Sequence, residues 1–318
     1  MEVSMFGGLV LVMVLVVVVV PALLVGLVLW LVSRSTSDDG GAPARAARRH
    51  ELLVSSVAVL AAVVCTVVLL AQPVAWPGWA SAPGVLQAIT PFSVALVLCV
   101  VRAVGEQTWP RPRGEVRSAP LARRTIWSLG GARLRIVLVT AAALAVALVV
   151  FGATADPTGR AFATNPVTLP DGSVVSGASG PYPGWPYGLP MLLGLALAVA
   201  ATFVALGSIT RRPPLHGVPA RHDDAVRATS AARLLGAVQL CLGVGLGGAL
   251  AVGGAAIQSR GQNLLLDELP THGLVAVGGG VALLGIAVVV ASGIAGLLAA
   301  WPRAARHAGA PAATGAPA

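Results

Sequence analysis

Seven long apolar runs make up most of this 318-residue chain, and none of them contains an Asp, Glu, Lys, Arg or His. They fall at about 6–32, 52–70, 84–101, 136–151, 189–209, 234–257 and 273–301. A helix rising 1.5 Å per residue needs roughly 20 apolar residues to cross a hydrocarbon layer about 30 Å thick, and most of the runs are near that length. Lipid offers no partner to backbone N–H and C=O groups, so each run is expected to satisfy them internally as a helix. Hydrophobic residues are 56% of the chain and charged ones 10%, which excludes an ordinary soluble domain.

The expected fold is therefore an all-α membrane protein with seven transmembrane helices in a single domain over 1–301. An extracytoplasmic loop is expected at 153–186, with a disordered cytoplasmic tail at 302–318.

Orientation follows from the basic residues, all 21 of which are Arg. Loops that remain in the cytoplasm collect positive charge. Of the arginines, 19 follow the first, third, fifth or seventh run, leaving only Arg160 and Arg260 on the other side. The N-terminus is thus expected outside and the C-terminus in the cytoplasm. Trp76, Trp79, Tyr182, Trp185 and Tyr187 would then lie at the outer interface, and Trp30, Trp127 and Trp301 near the inner one. The first run lacks a positive leader and is too long for a typical signal core, so a retained helix is expected. The high pI reflects this topological charge rather than a nucleic-acid surface. Lys is absent while Ala, Gly, Pro and Val are abundant, which points to a GC-rich bacterial coding sequence of actinobacterial type and to the plasma membrane.

Spacing marks several contacts. Gly243 and Gly247 form a GxxxG pair, and Ala287, Ala291 and Ala295 a small-residue row, either of which lets helix backbones approach closely. Packing between the sixth and seventh helices is the first expectation, and a dimer seam the second. Pro91, between Thr90 and Ser93, is expected to kink the third helix, with nearby hydroxyls meeting the freed backbone groups. Arg-rich residues from Ser118 to Gly131 suggest a short interfacial helix on anionic lipid. In the outer loop, 167–169, Pro170-Asp171-Gly172 and 173–175 suggest strand, turn and strand. Tyr182, Trp185 and Tyr187 stand among prolines, as an interfacial anchor or an outer contact surface. The cysteines, Cys65, Cys99 and Cys241, lie within runs at different depths and read as small buried hydrophobes.

Most chemistry is excluded. No run contains a Lys for a Schiff base, a His pair for haem, or carboxylates for a proton relay or an aspartyl protease. HExxH and P-loop motifs are also absent. His222-Asp223-Asp224 reads as a helix start before a metal site, and Asp267, Glu268 and His272 as solvated charge. No catalytic residue, metal site or cofactor is expected. The polar groups within the runs include Gln87, Thr140, Thr202 and Gln239, which suit interhelical hydrogen bonds. Gln87, Thr90 and Ser93 beside Pro91 are the first candidates for solute contact.

Pro183-Gly184-Trp185-Pro186-Tyr187-Gly188 before an apolar helix, with Arg211-Arg212-Pro213 after it, resembles polytopic membrane proteins of actinobacteria. That resemblance covers a small part of the chain and implies no activity or functional residue. Two functions remain open. One is a non-catalytic accessory or scaffold component of the envelope, contacting anionic lipids on its cytoplasmic face and a membrane partner or a second copy. The other is a permease subunit for a neutral or amphipathic solute.

Overall fold

The computed structural model describes residues 42–71, 84–108, 125–168, 172, 174–213, 220–266 and 269–300. The first apolar run, the segment 118–124 and the tail at 302–318 lie outside the described residues. Among those described, six helices are long and apolar enough to cross a membrane. They are α1 (Ala42–Ala71), α2 (Val85–Gln107), α3 (Ile126–Thr154), α4 (Trp185–Arg211), α5 (Ala220–Leu266) and α6 (His272–Ala300). Four two-residue strands, β1 (Phe162–Ala163), β2 (Val167–Thr168), β3 (Val174–Val175) and β4 (Ala178–Ser179), lie between α3 and α4.

Local signals set the helix ends. Gly84 precedes α2 at φ 91°, a conformation that favours glycine. Thr125 caps α3 in a reciprocal box: its side chain accepts from the Ser128 amide at 3.1 Å, and Ser128 Oγ accepts from the Thr125 amide at 3.2 Å. Pro186 lies in the first turn of α4, where a missing N–H leaves no helical bond unmade. The one interruption in α3 is Gly131, at φ 50° and ψ −135°. It separates a short turn carrying Trp127 from the long span. Trp127 is exposed and meets Phe203 of α4 edge-on, with ring centroids 6.2 Å apart.

Helices α2 to α5 form the core, with α1 packed on α2 and α6 on α5. Glycines on two faces of α5 explain its central place. On one, a Cβ at Gly243 would fall inside the Ser292 side chain, and one at Gly247 would strike the Gly285 carbonyl. Gly254 and Gly261 meet Ala282 and Val275 in the same way. On the other, a Cβ at Gly245 would stand 2.8 Å from Phe92 of α2, and one at Gly253 2.7 Å from Phe151 of α3. Without side chains there, α5 receives the α6 backbone on one side and aromatic rings on the other.

The α6 face that meets α5 runs through Gly278, Gly285, Ser292 and Ala299, all buried at seven-residue spacing. This period keeps two helices in register with a slight left-handed coil. Ala287, Ala291 and Ala295 lie off that face and are exposed. At 100° per residue, Ala287 is about 200° round the helix from Gly285, on the side away from α5. The outer faces of α1 and α6 carry Leu53, Leu60, Leu283 and Leu298, all more than half exposed. Such a surface suits hydrocarbon as its solvent.

Candidate functional site

Interior polar side chains are mostly spent on the protein itself. Thr90 donates to the Leu86 carbonyl at 2.7 Å and Ser93 to that of Ile89 at 3.2 Å. Neither reaches the Gln87 carbonyl that Pro91 leaves without its helical donor, which differs from the expected compensation. Thr90 is buried, while Gln87 and Ser93 are half-buried. Beside them Phe92, 1% exposed, fills the space between Gly194 of α4 and Gly245 of α5. Gln239 of α5 donates to Thr140 of α3 at 3.0 Å and to Ser292 of α6 at 3.4 Å, joining three helices. Thr202 donates to the Ala198 carbonyl at 2.7 Å and lies 3.5 Å from Cys99 Sγ.

The densest chemistry lies at the end of the bundle where α1 and α5 begin and α2 and α4 finish. Arg102 of α2 grips Glu51 of α1 with both terminal nitrogens, Nη1 to Oε1 at 2.9 Å and Nη2 to Oε2 at 2.7 Å. The same Nη2 is 2.6 Å from Glu106 Oε1, one helical turn on. Glu51 Oε1 also accepts from Ser230 of α5 at 3.2 Å and lies 3.7 Å from Arg233 Nη1. Next to this group, Arg212 stands 3.7 Å from Glu106 and 3.9 Å from Asp223. Arg227 binds Asp223 through Nε at 2.9 Å and donates through Nη1 to the Ile209 carbonyl at 3.0 Å. That last bond satisfies a carbonyl at the C-terminal end of α4, where positive charge is favoured.

Seven charged residues thus join α1, α2, α5 and the end of α4, and all but Arg233 are under a tenth exposed. Burial draws the Arg212 pKa below its ordinary value, opposed by the nearby Glu106. A guanidinium still keeps its charge at neutral pH. Glu51 accepts three hydrogen bonds, two from Arg102 of α2 and one from Ser230 of α5. The arrangement ties α1 to α2 and α5. His50 adds to it, with Nε2 2.9 Å from the Gly105 carbonyl oxygen. Gly105 is needed there because a Cβ would meet Val54 at 2.5 Å.

Sequence reasoning took these charges as topology markers and missed their mutual pairing. Two signals were present. Arg102 and Glu106, like Asp223 and Arg227, stand four apart on one helix face. Glu51, Arg102 and Arg233 each directly bound a charge-free run. Asp223 lies inside the first turn of α5, paired with Arg227, rather than preceding the helix as a cap. Among the described residues, no group of three or more His, Cys, Asp or Glu side chains is placed to hold a metal.

At the opposite end the strands form a cap. β1 pairs antiparallel with β4, and β2 with β3, in the register Val167 to Val175 and Thr168 to Val174. Gly172, at φ 82°, lies between β2 and β3. Asp156 organises the entry: its carboxylate accepts from Thr158 Oγ1 at 2.7 Å and from the amides of Arg160 and Ala161 at 3.0 Å. Slight burial pushes its pKa up, but these hydrogen bonds outweigh that and hold it below the ordinary Asp value.

Tyr182 is 1% exposed, so it anchors the cap rather than forming an outer contact surface. Its hydroxyl lies 2.6 Å from Thr154 Oγ1, and its ring meets Phe151 and Phe162 at 5.3 and 5.6 Å. The Tyr has an apolar ring and one polar tip, and the fold uses both inward. Trp185 is exposed, though one edge lies over Gly152, and Tyr187 is half-buried beside Gly84. Comparison with family models, curated proteins and solved structures finds no match for this chain.

Proposed function

We propose that this protein is a non-catalytic scaffold or accessory component of the bacterial plasma membrane. Phe92 carries this reading: its ring fills the space between Gly194 of α4 and Gly245 of α5, beside the Pro91 region expected to contact a solute. The Thr90 and Ser93 hydroxyls nearby turn back onto their own helix, which leaves few polar groups to replace a solute's hydration. The permease alternative needs such a path. The ion network supports a fixed bundle instead, because separating its helices would leave buried charges unpaired.

In this proposal the first apolar run is a seventh span, with the N-terminus outside. The network end then faces the cytoplasm and the strand-bearing cap faces outward, in accord with the Arg distribution. The basic inner face meets anionic lipid, and the cap from 153 to 186 is offered to a membrane or envelope partner. The decisive experiment uses the full chain with its native cysteines replaced and a single Cys at Gln87 or Thr90. Soluble thiol reagents added from either side of liposomes should leave both positions unlabelled, and solute flux should equal that of protein-free liposomes. Labelling together with flux would overturn the scaffold reading. For orientation, a reporter fused after Ala318 should be active only in the cytoplasm; activity outside would reverse the topology.

A further inference from the structure

Arg260 differs from every arginine in the network. It lies three residues past the charge-free run of α5, roughly 4.5 Å further along at 1.5 Å per residue, where hydrocarbon would give way to headgroups. β1 and β4 pack over this stretch of α5. Arg260 is 4% exposed, yet among the described residues no carboxylate lies within ion-pair distance of it; the paired acids are Glu51, Glu106 and Asp223. Its partner is a hydroxyl: Nε and Nη2 both donate to Thr164 Oγ1, at 3.1 and 2.9 Å. Gly177 lies over the guanidinium, where a Cβ would stand 2.7 Å from Nη1.

The chemistry of this site is all donor. The guanidinium keeps its charge and has further N–H bonds to give, and Thr164, accepting twice, still has its own O–H. Nη1 is the one guanidinium nitrogen that Thr164 does not hold, and Nη2 has a second N–H to give. A nearly buried cation held only by a hydroxyl is costly, and a bound anion would remove that cost. The planar fork of Arg matches two oxygens of a phosphate. We propose that Arg260 and Thr164 form an anion site that takes a phosphate group, supplied either by a phospholipid headgroup or by a soluble phosphate.

The experiment uses the purified full chain in phosphate-free nonionic detergent with native lipid removed, and reads thermal unfolding by Trp fluorescence. Phosphatidylglycerol and inorganic phosphate are the two probes, on wild type, Arg260→Met and Thr164→Val. Wild type should gain stability with a probe, and Arg260→Met should need at least about tenfold more of it for half the gain. Thr164→Val, which keeps the charge, should show a smaller loss. A gain from the lipid alone assigns the headgroup as source; a gain from inorganic phosphate assigns a soluble one. Without either probe, Arg260→Met should be at least as stable as wild type, since an unmatched charge has been removed. A less stable Arg260→Met there would mean that a carboxylate of the chain, such as Asp267 or Glu268, already neutralises Arg260, and would overturn the site. Equal gains in wild type and Arg260→Met, or no gain in wild type, would also overturn it.

Discussion

Replacing Glu51 by Ala is the sharpest probe of the ion network. The change removes the two-point contact to Arg102 and frees Ser230 and Arg233 from their shared acceptor. Taking one partner from a buried pair costs about 3–5 kcal/mol, because the other charge stays buried. Arg102 retains Glu106 at 2.6 Å, so the lower end applies, about 3 kcal/mol. That is more than a hundredfold in the unfolding equilibrium. SDS-induced unfolding of the purified protein in mixed micelles, followed by circular dichroism, would measure it.

The loss should be concentrated in α1, which packs mainly on α2 and is clamped at this end. Hydrogen exchange over 49–58 should therefore rise more than exchange in α5. The companion variant Glu51→Leu with Arg102→Leu separates charge from packing. Removing both ions with apolar groups of similar bulk should recover most of the loss, since a buried pair often gives little net stability over apolar replacement. A Glu51→Ala protein within about 0.5 kcal/mol of wild type would refute the reasoning, as it would mean that water solvates Arg102 in place of Glu51.

Other outcomes follow from the packing and the cap. Gly247→Leu should cost at least about 1–3 kcal/mol by driving α6 off α5, whereas Gly248→Ala, with open space at its Cβ, should be neutral or stabilising by up to about 1 kcal/mol; equal effects in SDS unfolding would contradict the packing face. Phe92→Ala should cost about 3–5 kcal/mol and open the Pro91 region to thiol labelling at Thr90. Because the folded pKa of Asp156 is lowered, its contribution is full above the unfolded value near 3.8 and fades as pH falls through that value and below. Proteolysis around 155–165 should therefore increase below about pH 4 in wild type, and Asp156→Asn should show little of that pH dependence. Tyr182→Phe should cost about 1 kcal/mol through its bond to Thr154, measured in the same unfolding assay.

Legibility from sequence depended on the range of the interaction. Each of the last six runs lies, to within a residue, inside a described helix because length and hydropathy are local quantities, although α5 extends past 234–257 at both ends. Capping of α3 at Thr125 and the break at Gly131 are also local. The row Ala287, Ala291 and Ala295 lies off the α5 contact, and spacing alone does not say which side of a helix meets a neighbour. Gly278, Gly285 and Ser292 form a less obvious series at spacing seven, and only contact with α5 singles it out. Tyr182 looked like its neighbours Trp185 and Tyr187 until Thr154 and Phe151 were brought to it.

By itself the sequence determined that this chain makes long apolar helices, where the six described ones lie, and that ionisable groups are kept to their ends. Those properties follow from the cost of unpaired charge and unbonded backbone in hydrocarbon, which acts residue by residue. Only the tertiary structure decided how the end charges are used. Glu51 and Arg102 are separated by 51 positions, and Glu51 and Ser230 by 179. Pairing at that distance depends on which helices are neighbours, and here the glycine faces of α5 set that choice. The same arrangement left Arg260 beside a hydroxyl instead of a carboxylate, a difference that 21 arginines read along a line do not reveal.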